Sequence, residues 1–246
     1  ERIHFPDIEY AGMLDDTTGY IFQSGFTENV SSEMRVKFNE LKKQGMKRLV
    51  LDLRGNGGGL MSEAVGILSL FVPKGSLVVT SKGNTSEAVR EYRTSTEPID
   101  TEMPIIVMID SGSASSSEIV AGALQDLDRA VIMGKRSYGK GLVQSIRPLP
   151  YNSQMKITTA KYYTPSGRCV QGVGVTPDID IEVPSYSRLV YALVLGGVID
   201  QYVIDYSRRH ESIPAVDDFH FSDEDFEDFI RFAKTQEFDY RSSAKT

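Results

Sequence analysis

Arg48-Leu-Val-Leu-Asp-Leu-Arg-Gly-Asn-Gly-Gly-Gly-Leu60 decides the fold. The nearly continuous apolar run to Leu53 predicts a strand buried on both faces. Gly55 to Gly59 predicts a tight turn, and Leu60 to Phe71 a helix. The unit recurs downstream. Pro104-Ile-Ile-Val-Met-Ile109 predicts a second buried strand, Asp110 to Ala114 a turn, Ser115 to Leu127 a helix, and Ala130-Val-Ile-Met133 a third strand. Upstream, Gly19-Tyr-Ile-Phe-Gln23 reads as a strand, and Val30 to Gln44 as a helix with Met34, Phe38 and Leu41 on one face and Gly45 as its stop. This alternation predicts an α/β fold with a largely parallel sheet.

The remaining segments are less regular. Leu77 to Thr80 and Ala88 to Arg93 read as more exposed strands, Gln154 to Tyr163 as another strand, and Thr164-Pro-Ser-Gly-Arg168 as a turn. After Pro184 the character changes. Leu189 to Tyr206 predicts a helix. Asp217 to Asp228, acidic with interspersed phenylalanines, predicts an amphipathic helix N-capped by Ser222. The expected division is a core over 1–184 and a C-terminal helical segment over 185–246, in which no chemistry is identified.

Composition narrows the function classes. With 246 residues and 40% hydrophobic content, the chain can bury a sizeable core. A net charge of −7 argues against a general nucleic-acid or anionic-membrane binder, which needs a basic face. The single cysteine, Cys169, excludes an internal disulfide. No apolar run approaches the ~20 residues of a spanning helix. One cysteine and three scattered histidines supply no metal-ligand cluster. The chain opens on Glu1 with neither Met nor a signal peptide, as a processed fragment would.

Two turns carry the candidate chemistry. In open α/β sheets ligands bind beyond the carboxyl ends of the strands, where helices begin. Ser111-Gly-Ser-Ala-Ser-Ser-Ser117 opens a helix there, and Tyr138-Gly-Lys-Gly141 follows with one lysine among glycines. His4, His210 and His220 lie at the chain's ends, so a serine nucleophile here calls for a lysine base, Lys140. Ser115 at the helix start is well placed as the nucleophile. The backbone N–H groups of Ser116 and Gly59 suit an oxyanion. An ammonium near pKa 10.4 is no base at neutral pH, and burial disfavours its charged form. Lys140 is therefore expected to run inward, with Gln144 orienting the amine.

Duller readings compete with each of these. Serine clusters usually cap helices, glycine runs usually only turn, and most lysines are solvated. Gly134-Lys-Arg-Ser-Tyr-Gly-Lys-Gly141 nearly matches the phosphate-binding loop G-x-x-x-x-G-K-[ST], but Gly141 offers no hydroxyl to a metal. Ser137-Tyr-Gly-Lys140 matches S-x-x-K, but flanking glycines discourage the helix it needs and no K-T-G follows. Cys169 is expected to be a small buried residue.

Four blocks together resemble the carboxy-terminal processing (tail-specific) proteases: Leu51 to Gly59, Gly112 to Asp126, Gly139-Lys-Gly-Leu-Val-Gln144 and Tyr163 to Arg168, with Gly172-Val-Gly-Val-Thr-Pro-Asp178 behind them. The resemblance runs over about residues 15–183. It implies a Clp-protease/crotonase-like core with a parallel-rich sheet and flanking helices. It also implies a Ser-Lys dyad of Ser115 and Lys140, with Gln144 beside the lysine and the Gly59 and Ser116 amides as oxyanion hole. Asp126 matches an aspartate sometimes counted with that site and is read here as structural. Ser116 departs from the family's usual alanine, which matters little where only the N–H is used.

The expected activity is a serine endopeptidase acting near the C-terminal ends of protein or peptide substrates. No cofactor, metal or nucleic acid is implied, a homo-oligomer is left open, and the family's location is the bacterial periplasm or cell envelope. Family members typically carry a PDZ domain ahead of residues 1–30, for which this chain has no room, so tail selection by that module does not carry over. The alternatives are a non-catalytic peptide- or apolar-ligand-binding module on the same fold, and a crotonase-like acyl-CoA enzyme.

Overall fold

The computed structural model describes residues 6–85, 88–181, 190, 193–194, 196–210 and 222–236. The chain divides into two compact units, Glu1–Glu182 and Val183–Thr246. The first runs β1 (Ile8–Met13), β2 (Thr18–Gln23), α1 (Val30–Lys43), β3 (Arg48–Asp52), α2 (Met61–Phe71), β4 (Leu77–Lys82), β5 (Val89–Arg93), β6 (Ile105–Ile109), α3 (Ser116–Asp126), β7 (Val131–Gly134), β8 (Leu142–Leu149), β9 (Ser153–Tyr163) and β10 (Ile179–Asp180).

One sheet has the order β1-β2-β3-β6-β7-β10. It is parallel from β2 onward, with β1 antiparallel at its edge. Strand order rises from β2 to β7 without a reversal, so right-handed crossovers put α1, α2 and α3 on a single face. There α1 packs on α2, and α2 on α3. Val30, Met34, Phe38 and Leu41 form the buried stripe of α1. Phe38 meets Phe71 of α2 edge-on at 5.5 Å. Beneath them Leu49, Leu51, Val107, Ile109 and Ile132 are fully covered. A second, antiparallel sheet, β5-β4-β9-β8, carries the long β8–β9 hairpin.

The Thr164–Arg168 turn is held from α3. Asp126 accepts from the Ser166 N–H at 2.9 Å and from the Arg168 guanidinium. Burial pushes the Asp126 carboxyl up, but bonds from Ser166 and Thr164 and the Arg168 charge outweigh it, leaving it below its ordinary value. A depressed carboxylate stabilises the fold above its unfolded pKa, near 3.9, and loses that contribution as pH falls through the folded value. Calorimetry on Asp126→Asn should therefore find a Tm deficit at pH 6 that closes as pH drops below about 4. A deficit constant with pH would refute this linkage.

The second unit contains α4 (Val198–Arg209) and α5 (Asp223–Thr235). Tyr202 packs on Phe229 and Phe232 at 5.0 and 5.4 Å between ring centres. Arg209 pairs with Asp205 and Asp228. Ser222 accepts from the Asp225 N–H at 3.2 Å, the cap expected of it. The acidic helix starts at Asp223, and its expected beginning over 217–221 lies outside the described residues, as do 189, 191–192 and 195. Cys169 is half-buried, less covered than expected, and it bridges to Tyr163 at the sheet's margin. Among the described residues no helix is long and apolar enough to cross a membrane.

Candidate active site

Because β3, β6 and β7 are parallel neighbours, the loops at their carboxyl ends emerge side by side. The loop after β3 holds Gly59, the loop after β6 holds Ser115, and the loop after β7 holds Lys140. Strand order thus brings together three segments separated by up to 81 positions.

The first two loops are riveted to each other. Asp110 accepts from the N–H groups of Gly55, Gly112 and Ser113 at 2.8, 2.9 and 3.1 Å. The Ala114 N–H donates to the Asn56 carbonyl at 2.9 Å. Asn56, fully buried, donates to the Gln23 carbonyl and accepts from the Gly58 N–H. At the end of β3 the buried Asp52 receives Arg54 and the Tyr20 hydroxyl. Burial first, and then Asp52, push the Tyr20 phenol up to about 12, so it remains a donor.

The serine cluster separates into two kinds. Ser113 donates to the Leu53 carbonyl at 2.7 Å, Ser116 to Gly59 at 3.0 Å and Ser117 to Asn56 at 2.9 Å. Those three hydroxyls are staples between the loops. Ser115 alone of the four sends its hydroxyl to no carbonyl of the facing turn. It also sits at φ 57°, ψ −114°, far from the extended backbone usual at a helix N-cap. Such a conformation costs about 1–3 kcal/mol and persists only where the surroundings impose it.

Two buried side chains impose it. Glu118, fully buried, accepts at one oxygen from the Ser137 hydroxyl and the Gly139 N–H, both at 2.6 Å. Its other oxygen accepts from the Ser115 and Lys140 N–H groups, both at 2.8 Å. From β9, the Tyr162 hydroxyl meets the carbonyls of the same two residues, Ser115 at 3.1 Å and Lys140. Burial, reinforced by Glu118, pushes the Tyr162 phenol far up, which keeps its proton in place. The peptide groups of Ser115 and Lys140 are thus clamped by one carboxylate and one phenol.

The lysine loop is braced from behind. Ser137 exchanges bonds with Val175, Gly172 donates to the Gly139 carbonyl, and Gln171 accepts from the Gly141 N–H. Gly139 takes φ 89°, and a side chain on Gly141 would lie 2.5 Å from the Gln171 nitrogen, so this path requires glycine. Lys140 itself differs from the expectation of an inward course, because its side chain is exposed. The glycine bends that route its backbone under Tyr162 and Glu118 leave the side chain outside the core. Gln144 follows a β-bulge, and its amide reaches the Thr158 hydroxyl at 3.5 Å. Among the described residues no hydrogen bond joins it to Lys140.

The Gly59 and Ser116 N–H groups donate to no described residue, and Ser116 directly follows Ser115. Gly58, at φ 89°, is pressed against them. A side-chain carbon there would stand 2.6 Å from the Ala114 carbonyl, 2.7 Å from the Ser115 Cβ and 2.8 Å from the Ser116 nitrogen. Gly58→Ala should lower kcat about 10²–10³-fold, the size of losing one oxyanion donor, with little change in circular dichroism. Unchanged kcat would mean the two amides are not used. Among the described residues no group of side chains could hold a metal ion.

The family model described as Peptidase family S41 matches residues 17–181, which contain all three loops. The chain belongs to peptidase family S41. A second model, "Probable PDZ-protease, C-terminal helical domain", matches 189–246. A Bartonella bacilliformis protein named carboxy-terminal-processing protease is 45% identical over 175 residues, 70% of this chain and 40% of its own length. A Staphylococcus aureus "Probable CtpA-like serine protease" is 37% identical over 190 residues, 77% of this chain and 38% of the relative. The solved photosystem II D1 C-terminal processing protease superposes with a TM-score of 0.62 at 37% identity, over 67% of this chain and 42% of that one. This S41 chain therefore spans about two fifths of the length of these relatives.

Glu118 and Tyr162 were not singled out by the sequence. An acidic residue in a first helical turn reads as ordinary dipole compensation, and Tyr162 reads as one alternating position of a strand. The one available signal was Glu118 three residues after Ser115, the spacing of a capping box.

Proposed function

We propose that the chain is the catalytic part of a serine endopeptidase, with Ser115 as nucleophile and Lys140 as base. The observation that carries this reading is the asymmetry of the serine cluster. Three hydroxyls are consumed in holding the loops, while Ser115 keeps its own, on a strained backbone that shares a Glu118 oxygen with Lys140.

Ser115 Oγ attacks the scissile carbonyl carbon and passes its proton to the neutral Lys140 amine. The Gly59 and Ser116 N–H groups stabilise the oxyanion. Collapse expels the amine, which takes the proton from Lys140, and water then hydrolyses the acyl-enzyme with the lysine again as base. Substrate lying over the exposed Lys140 would exclude the water around it. Gln144 is assigned to that covered arrangement, as a partner for the amine.

Catalysis is assigned to 1–184 and a helical accessory role to 185–246. Cleavage near C-terminal ends is adopted from the names of the matched relatives. So is action on protein substrates, and the exported setting of the bacterial periplasm or cell envelope comes with the family resemblance. The alternative of a binding module without chemistry has no use for a strained serine whose hydroxyl, unlike those of its neighbours, makes no bond to the facing turn.

The test is mass-spectrometric detection of cleavage of an unfolded protein with an apolar tail, from pH 7 to 9.5, by wild type, Ser115→Ala and Lys140→Ala. Cleavage by wild type alone is expected. Cleavage surviving in Ser115→Ala would overturn the assignment.

A further inference from the structure

We infer that the Tyr138 ring is the wall against which the residue following the scissile bond packs, and that the site selects an aliphatic side chain there to cover the Lys140 amine. This rests on the proteolytic reading and names the part of the substrate that completes its site.

The first observation is position. The Tyr138 N–H donates to the Ser113 carbonyl at 2.9 Å, two residues before the candidate nucleophile, and Tyr138 itself stands two residues before the candidate base. On acylation the Ser115 Oγ bonds to the carbonyl carbon, the C–N bond breaks, and the Oγ proton passes through the Lys140 amine to the departing nitrogen. That nitrogen must come within reach of Lys140. The residue that carries it therefore lies over the segment 137–141.

The second observation is what this segment exposes. Glu118 takes the Ser137 hydroxyl and the Gly139 N–H inward, which leaves the side chains of Tyr138 and Lys140 outside. Tyr138 is 69% exposed. Among the described residues its hydroxyl has no hydrogen-bond partner, and its ring meets no other ring or cation. Its backbone is nonetheless braced on both sides. Ser137 donates to the Val175 carbonyl, and the Gly139 carbonyl accepts from Gly172. A solvated surface tyrosine needs no such bracing, whereas a ring held in place and left bare offers contact area at small entropic cost.

The third observation is the exposed lysine. A general base needs the neutral amine, and apolar cover favours that form. An aliphatic side chain lodged between ring and amine supplies the cover. A carboxylate in the same place would hold the ammonium instead. Arg136, exposed on the same segment, would attract such a carboxylate, so cover and charge attraction predict opposite preferences.

The test measures kcat/KM for wild type, Tyr138→Phe and Tyr138→Ala on one acyl peptide joined to leaving segments that begin with leucine, glycine or glutamate. The methyl ester of the same acyl peptide, whose leaving group is too short to reach the ring, is the fourth substrate. Wild type should favour leucine over glycine about tenfold, the gain from lodging one aliphatic side chain on apolar surface, and should rank glutamate below glycine. Tyr138→Ala should bring the leucine-to-glycine ratio to within about twofold of unity, its loss falling on the leucine peptide. Tyr138→Phe should keep the preference, because the ring and not the hydroxyl makes the contact. A purely structural role would lower the peptides and the ester together and leave the ratio unchanged. An unchanged ratio in Tyr138→Ala, or a preference for glutamate, would overturn the inference. So would equal rates on the three peptides, high or nil, beside a cleaved ester. A wild type that turns over neither peptides nor ester, or a Ser115→Ala chain that keeps the cleavage, would refute the protease reading itself and the inference with it.

Discussion

Ser115→Ala is expected to lower kcat for peptide cleavage by at least ~10⁴-fold, leaving only what oriented binding and the oxyanion donors provide. The reason lies in the division of labour among neighbouring serines. Removing the hydroxyl of Ser113, Ser116 or Ser117 removes a bond between loops, so those variants should lose stability first and activity only as a consequence. Removing that of Ser115 breaks no such bond, so Tm should hold while turnover vanishes. Steady-state kinetics and calorimetry on the four alanine variants check this contrast. A Ser115→Ala protein that loses stability like the others, yet keeps measurable turnover, would reduce the residue to one more staple.

Glu118→Gln carries the second large effect. The carboxylate accepts four bonds, from Ser115, Ser137, Gly139 and Lys140. A carboxamide keeps one acceptor oxygen and turns an NH2 toward two of those donors. Each buried donor left without a partner costs about 1–3 kcal/mol, so the variant should lose roughly 2–5 kcal/mol. For a domain of this size that is a Tm drop of about 5–15 °C. The catalytic signature is separate. Without the shared oxygen, the Ser115 and Lys140 segments lose their common reference and the strained serine backbone can relax. Below the new Tm, kcat should fall at least about 10²-fold while KM changes little, because a misplacement near 1 Å is enough for that loss. Tyr162→Phe, which releases the two carbonyls, should act in the same direction and less than additively with Glu118→Gln. A Glu118→Gln enzyme with lowered Tm but unchanged kcat would confine Glu118 to folding.

Much of the fold was legible because parallel strands buried on both faces advertise themselves as apolar runs. Arg48–Leu53 and Pro104–Ile109 left little choice, and the glycine and serine turns after them marked the strands' carboxyl ends. β1 was not legible: Ile8–Met13 alternates weakly and owes its place to pairing with β2. Leu77–Thr80, Ala88–Arg93 and Gln154–Tyr163 were legible as strands, but not their union with β8 in a separate antiparallel sheet, which depends on long-range pairing. At the candidate site, the turns that meet could be read from their glycines and serines. What clamps them could not. Glu118 works because four donors from two loops converge on it, a property of the folded loops rather than of any local pattern. The exposure of Lys140 escaped for a related reason. Flanking glycines indicate a tight backbone path, and the direction of the side chain follows only once Glu118 and Tyr162 fix that path.

The most direct test of the central claim is to treat the protein with a serine-directed fluorophosphonate and locate the adduct by intact mass and peptide mapping. The account predicts a single adduct on Ser115, absent from Lys140→Ala and strongly slowed in Glu118→Gln. An adduct on Ser113, Ser116 or Ser117, or labelling of Ser115 that does not depend on Lys140, would contradict it.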